Sequence, residues 1–287
     1  MPLARLTDRA VLAVTGDTAA DFLHGLVTND VIKLILGSST YAALLTPQGK
    51  IVTDFLVHAT SDGFHLDVAA AHAPDLLKRL KLYRLRAPIT LEDISTTRAV
   101  FAAWDPSPPH PEEGASAPVS KDPRFAALGR RWIGAPGSET PDADLADYHV
   151  HRLTLGIPDS ADTEGQFALD ANLEELHGLD FKKGCYVGQE VTARMKHKAA
   201  PRRRLARILL DGPAPAPGSR LTDSAGTEVG EFKTGLGTEA LASIRLDRIV
   251  ASNILISGDI SARIAPAAYD LPPLTAALQP APKATNE

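Results

Sequence analysis

Short apolar segments, each cut off by turn-forming residues, restrict this chain to a fold of brief strands and helices. Val11 to Thr15 reads as a strand stopped by Gly16-Asp17. Thr18 with Asp21 has the spacing of a capping box, and Phe22, Leu23, Leu26 and Val27 then share one helical face. Thr28-Asn29-Asp30 ends that helix, and Gly37-Ser38-Ser39 leads into a strand from Tyr41 to Thr46. Pro47-Gln48-Gly49 and Ser61-Asp62-Gly63 predict hairpin turns on either side of a strand from Ile51 to Ala59. Phe64, Leu66 and Val68 alternate with His65 and Asp67, the period of a half-buried strand, so Asp67 is expected on its solvent face. Pro74 opens a helix with Leu76, Leu77 and Leu80 on one side, and Leu145 to Leu155 predicts another, closed by Gly156 and Pro158.

The proline-rich stretch 105–123 reads as a surface loop, and 134–141 as a second soft segment. Beyond Pro201 the pattern changes to short β-like pieces around Gly226, Gly230, Gly235 and Gly237, the signature of a small antiparallel β domain. Residues 278 to 287 are expected to form a loose tail.

Composition narrows the function classes. A net charge of −5 and a pI near 6.0 give no global attraction to nucleic acid or anionic membrane. No stretch offers the ~20 apolar residues that cross a bilayer. The first residues lack the apolar core of a secretory signal and the Arg- and Ser-rich character of a transit peptide. Cytoplasm is the simplest address, with the mitochondrial matrix the expectation for a mature eukaryotic form. The single cysteine, Cys185, excludes an intrachain disulfide and fits a reducing compartment.

That cysteine lies in the densest run of chemically capable residues, Lys182-Lys183-Gly184-Cys185-Tyr186-Val187-Gly188-Gln189-Glu190. Gly184 and Gly188 permit a tightly shaped loop. Lys182, Lys183 and Arg194 would favour a thiolate if they gather around it in space. The ordinary reading of a lone cysteine is a small buried hydrophobe. One thiol does not hold an iron–sulfur cluster or another metal site by itself, so no metal is assigned to the chain alone. Cys185 would share a transient cluster only with a partner or glutathione.

The run 183–190 resembles the signature of the YgfZ-type proteins, a branch of the superfamily that includes the glycine-cleavage T-protein, an aminomethyltransferase. The segments from Phe22 to Asp30 and from Leu45 to Asp54 resemble the family's amino-terminal region, and Leu205 to Leu246 its carboxy-terminal domain. The resemblance implies an α+β fold, a three-lobed ring with a discontinuous first domain (1–50 and 136–200). It also implies an inserted ferredoxin-like domain (51–135), a C-terminal antiparallel β-barrel-like domain (201–275) and a flexible tail (276–287). It implies tetrahydrofolate, or a derivative, in a central cavity, and a role in assembly, maturation or repair of iron–sulfur proteins beside cluster carriers or client proteins.

The residues named for folate on this basis are Asn29, Asp30, Asp54, Asp67, Glu190 and Arg194. Asn29 and Asp30 are equally suited to capping the turn after the first helix. Asp54 interrupts an apolar strand, where it needs either a ligand or a protein partner. Glu190 and Arg194 are four apart and would pair on a helix. The T-protein's catalytic aspartate has no clean counterpart here: Asp75 is equally an acid in a first helical turn. Glycine-cleavage chemistry is therefore not assigned, and a folate-dependent one-carbon transferase stands as the enzyme alternative. An interaction scaffold without folate function is the second alternative. The basic run from Arg194 to Arg207 suits RNA, a phosphate-bearing ligand or an acidic partner, but lacks interleaved aromatics, and a solvated surface explains it more simply.

Overall fold

The computed structural model describes residues 1–104, 120–198, 201–249 and 254–278. Most of the proline-rich stretch and nearly all of the expected tail lie outside the described residues. The chain opens with β1 (Leu3–Arg5), β2 (Arg9–Thr15), α1 (Ala19–His24), β3 (Ser39–Leu45), β4 (Ile51–Ala59) and β5 (Gly63–Ala69). It continues through α2 (Ala73–Arg84), β6 (Thr90–Asp93), β7 (Ala99–Ala103), β8 (Ser120–Lys121) and β9 (Arg130–Gly134). Three helices follow: α3 (Leu145–Thr154), α4 (Ser160–Thr163) and α5 (Gln189–Lys198). The last third holds β10 (Arg203–Leu210), β11 (Arg220–Thr222), β12 (Glu228–Leu236), β13 (Glu239–Arg245), β14 (Ile254–Ser257), β15 (Ile260–Ala265) and α6 (Pro272–Leu278).

These strands build three sheets. One has the order β3-β4-β5-β2-β6, the second β1-β7-β9-β8, and the third is a closed antiparallel barrel, β10-β13-β12-β11-β14-β15. Closure removes the exposed edges that short strands otherwise leave. The expected division at residue 50 is corrected by this topology. β3 and β4 form one hairpin, paired from Ser39 with His58 to Leu45 with Ile51. β2 lies between β5 and β6, and β1 pairs with β7. The segments 1–50 and 51–135 thus interleave in shared sheets, because backbone pairing ignores where the resemblance draws a border. The barrel strands fall inside the expected 201–275 unit. Residues 276–278, assigned to the tail, instead finish α6, whose first turn begins with Pro272-Pro273, where the missing proline amides cost no hydrogen bond.

Local chemistry explains other differences. Thr18 makes no capping hydrogen bond, and α1 lasts only six residues. The reciprocal capping boxes are instead Asp144 with Asp147 and Asp159 with Asp162, where both carboxylates reach the other's backbone amide.

Asp67 is the main correction to the expected pattern. It is fully buried, not solvent-facing. Arg9 donates from Nε to Oδ1 at 2.6 Å, and Arg131 from Nε to Oδ2 at 2.6 Å. Arg131 also donates to the Tyr148 hydroxyl at 2.7 Å, which receives Arg124 as well at 3.0 Å. Arg9 reaches on to Asp159 at 2.9 Å, while Arg124 pairs with Asp122 at 2.7 Å. The network ties the five-stranded sheet to the four-stranded sheet, to α3 and to the start of α4. Burial by itself would raise the Asp67 carboxyl, but Arg131 and Arg9 outweigh it and hold the group well below the carboxylate range.

Replacing Asp67 with Ala would leave two buried guanidiniums short of their partner. The expected loss is about 3–5 kcal/mol of unfolding free energy, read by urea denaturation. The depressed folded-state carboxyl makes the stabilisation present at neutral pH. It is lost progressively as pH falls below the unfolded carboxylate's ordinary value toward the folded one. A wild type with flat stability between neutral pH and pH ~3 would contradict this assignment.

Candidate functional site

The run 182–190 lies against two amino-terminal segments. Asp180 starts the approach: its amide donates to the Thr28 carbonyl at 3.1 Å, and its Oδ1 accepts from the Lys182 and Lys183 amides at 2.6 and 3.1 Å. Thr28 is itself buried, donating from Oγ1 to the Gly178 carbonyl at 2.7 Å and accepting from the Ala43 amide at 2.9 Å. The chain entering the loop is therefore pinned to β3.

Lys183 sets the loop's inner side. It is buried, and its ammonium donates to the His24 carbonyl at 2.6 Å and to the Val27 carbonyl, at the end of α1 and just beyond. These carbonyls carry the negative end of the helix dipole, so the cation is well placed. Its nitrogen also sits 4.8 Å from the centre of the Tyr186 ring. Burial lowers the ammonium to about 8, with Asp30 and Asp180 opposing that shift. Lys183 is thus committed to backbone carbonyls and does not serve as a free cation for the thiol.

Tyr186 is buried, and burial raises its hydroxyl to about 12 against the opposing hydrogen bond with Thr192. Gly188 completes the inner wall, with φ at +83°. A Cβ on Gly188 would lie 2.6 Å from the Thr46 carbonyl oxygen and 2.9 Å from the Leu45 side chain. Across the contact Gly49 also has positive φ, and a Cβ there would meet Val191 at 2.9 Å. The Pro47-Gln48-Gly49 turn and the 183–190 run, distant in sequence, are two halves of one contact. Cys185, between the inward Lys183 and Tyr186, is exposed. The ordinary expectation of a buried cysteine is therefore not met.

Gln189 and Glu190 begin α5, with Gln189 half-buried and Glu190 exposed. Arg194 is also exposed, and among the described residues no ion pair joins it to Glu190. The basic run is partly neutralised by tertiary contacts invisible in local sequence. Lys196 pairs with Glu174, Arg204 with Glu175 at 3.0 Å, and Arg207 with Glu239 at 2.8 Å. Beyond α5 a cleft of 760 Å³ is lined by Glu175, Met195, Lys196, His197, Arg204 and Asp270, among others.

The residues named for folate separate into two groups. Asn29 and Asp30 lie near the loop. The Asn29 amide nitrogen donates to the carbonyls of Tyr41 and His177 at 2.8 and 2.7 Å and to the Thr40 hydroxyl at 2.9 Å, while its oxygen accepts from the Asp30 amide. Asp30 pairs with Lys33 at 2.7 Å and approaches His24 at 3.3 Å. Both therefore shape the turn, as capping chemistry predicts.

Asp54 and Asp67 are in the core. Asp54 is buried; Oδ2 accepts from the Tyr41 hydroxyl at 2.6 Å and Oδ1 from the Thr163 hydroxyl at 3.0 Å. Burial, then Asp54, pushes the Tyr41 hydroxyl well above its ordinary value. Every carboxylate oxygen of Asp54 and Asp67 already has a protein donor and neither residue has open surface. They do not fit the edge of a bound pterin. Asp75 sits in the first turn of α2 and pairs with Arg79 four residues on, a local helical role.

Asp8, His149 and Asp159 place potential ligand atoms within 4.8 Å of one another. Their arrangement is nonetheless that of an ion-pair network. Arg152 donates to His149 Nδ1 at 2.9 Å, which leaves the Nε2 proton facing Asp8 at 2.9 Å. Arg9 already provides the cation at Asp159. This network, with Asp180 and the Lys183 tether, was not foreseen from sequence. Its only advance signal was charge inside apolar strands such as Arg130-Arg131-Trp132-Ile133.

The arrangement of sheets, barrel and loop defines the T-protein class of fold. Residues 6–108 match the GCVT N-terminal domain and residues 202–272 the CAF17 C-terminal beta-barrel domain. The fold is similar to a crystal structure of glycine cleavage system aminomethyltransferase T from Bartonella henselae. That likeness has a TM-score of 0.74 and 17% identity, covering 93% of this chain and 85% of the other. The human iron-sulfur cluster assembly factor IBA57, mitochondrial, is 33% identical over 85% of this chain and 78% of its own length. The Mycosarcoma maydis homolog is 30% identical over 86% of this chain and 74% of its own length. The chain belongs to this IBA57 family within the T-protein superfamily. Among the described residues no helix is long and apolar enough to cross a membrane.

Two substitutions separate packing from accessibility in the loop. Gly188→Ala is expected to cost about 1–3 kcal/mol, since positive φ and the Thr46 carbonyl both oppose the methyl. Gly184→Ala, which meets only the His24 ring nitrogen at 3.6 Å, should stay within about 0.5 kcal/mol. Thermal unfolding of both variants checks the contrast. A second check follows Lys183 by NMR, where its side-chain signals should titrate with a midpoint of about 8.

Proposed function

We propose that this chain assists the assembly, maturation or repair of iron–sulfur proteins by presenting the Cys185 thiol to a cluster-bearing partner. One observation carries the reading: Cys185 is exposed while its neighbours Lys183 and Tyr186 are locked inward. A prearranged thiol meets a partner with little further ordering cost. A thiolate is the form that ligates or attacks, and one thiolate supplies only a fraction of a cluster's ligands. Carrier proteins, client proteins or glutathione supply the remainder. The names of the IBA57 relatives support the assembly role, and the 183–190 run supports the finer YgfZ-type assignment. The relatives' mitochondrial names favour the matrix alternative for the site of action; a free thiol suits a reducing cytoplasm equally.

Reduced folate is the second reading, favoured by the fold shared with the aminomethyltransferase. Because Asp54 and Asp67 do not fit as ligands, no chemical step is assigned to folate. Anaerobic calorimetric titration with tetrahydrofolate tests it: saturable binding supports the reading, and its absence in folded protein removes folate.

The test of the leading reading is a strain carrying only Cys185→Ala at wild-type abundance. Cluster-dependent enzymes should lose activity while the variant keeps the wild-type melting temperature. Undiminished client activity would overturn the role given to the thiol.

A further inference from the structure

Helix α2 carries lysine and leucine together on its outward side. Its buried residues, Ala73, Leu76 and Leu80, pack into the core of the five-stranded sheet. Lys78, Lys81, Leu82 and Leu85 follow the helical spacing of three and four on the opposite side, with Leu85 just past the last turn. A helix over a core normally turns only polar residues to water there. Leu82 is instead 68% exposed and Leu85 86%, with Tyr83 at 39%.

The end of the helix holds Leu85 outward in a strained conformation. The Ala87 amide donates to the Arg84 carbonyl at 2.8 Å, closing a turn with Leu85 and Arg86 at its centre. Leu85 has φ +47° and ψ −106°, close to the first central position of a type II′ turn, where glycine fits without strain. With the side chain almost wholly in water, no packing offsets that strain, which points to a use outside the folded chain.

The charge beside these side chains is uncommitted. Lys78, Arg79, Lys81, Arg84 and Arg86 lie between Asp75 and Glu92 with no acid among them. Arg79 pairs with Asp75. The other four are exposed, and among the described residues no ion pair engages them. Asp93 shares a groove with Leu77, Lys78, Lys81 and Leu82, but its carboxylate accepts from the Ser95 amide and hydroxyl at 2.9 and 2.5 Å. The exposed pair Ile35 and Leu36 lacks this setting: Lys33 is taken by Asp30, and Leu36 lines a hollow with Asp17 and Asp62.

We infer that the outward side of α2 and the turn after it form a docking surface for an anionic lipid bilayer, resting on it without crossing it. Charge complementarity names the occupant. Four free cations, in a chain of net charge −5, meet acidic headgroups. Leu82 and Leu85 enter the boundary between headgroups and acyl chains, and Tyr83 sits at the interface. Lysines beside leucines suit that gradient, because their aliphatic stems go in with the leucines while the ammonium groups stay with the phosphates. A soluble acidic partner would satisfy the cations and leave the strained, protruding Leu85 unexplained. The surface acts independently of Cys185.

The experiment is co-sedimentation of the full chain with vesicles of equal parts phosphatidylglycerol and phosphatidylcholine, beside vesicles of phosphatidylcholine alone. Wild type should bind the acidic vesicles, more weakly as salt rises, and leave the neutral ones unbound. Lys78→Gln/Lys81→Gln should lower binding at least about tenfold, and Leu82→Ala/Leu85→Ala by a similar factor. Ile35→Ala/Leu36→Ala should stay within about twofold of wild type. Leu85→Gly relieves the positive φ, so it should keep or raise the melting temperature while lowering vesicle binding at least about threefold. A folded wild type that ignores acidic vesicles overturns the inference, as does equal binding by wild type and the α2 variants. Equal binding to neutral vesicles overturns it too. Binding to soluble polyglutamate but not to vesicles assigns the surface to an acidic protein and overturns the bilayer. A wild-type dimer in sedimentation velocity that Leu82→Ala/Leu85→Ala dissociates assigns it to a second copy, with the same consequence.

Discussion

The Asp67 carboxylate, held between Arg9 and Arg131 without access to water, is the interaction on which the arrangement of the lobes depends. It lies on β5, its partners on β2 and β9, and through Arg9 and Tyr148 the network continues to Asp159 and α3. Removing charge from water is costly, and the cost is offset here because both carboxylate oxygens and the guanidinium forks are engaged at once. Such pairing works in few geometries, so it fixes how the two sheets meet. The segment that leads from α4 to Cys185 starts from this anchored position.

The loop itself uses a different device. Backbone groups hold it: the Lys183 ammonium on the carbonyls near the end of α1, the Asp180 carboxylate under two amides, and Gly188 against the Thr46 carbonyl. The flanks are fixed while Cys185 stays exposed. A side chain at Gly188 would meet the Thr46 carbonyl and disturb the support, whereas Cys185 takes no part in the core it caps.

Local patterns in the sequence were a sound guide wherever the deciding force was local. The hairpin turns at Gly49 and Gly63, proline in the first turn of α2, and α3 all appear where spacing places them. The closed barrel occupies the glycine-punctuated last third. Local reasoning misplaced Asp67 because strand alternation assigns a face without knowing whether another sheet covers it. It also read the 194–207 run as one basic patch, although Glu174, Glu175 and Glu239 reach in from distant elements.

The sequence by itself determined the short-element architecture and the barrel segment, and it singled out residues 183–190 as the candidate site, because turns, periodicity and a dense motif are written in adjacent residues. Tertiary structure alone decided that Asp54 and Asp67 are core ion and hydrogen-bond partners, that Lys183 turns away from solvent, and that Cys185 stays exposed. The reason is desolvation: whether a charged group is a ligand site or an internal clamp depends on which donors surround it once water has left. Those donors arrive here from residues far apart in the chain.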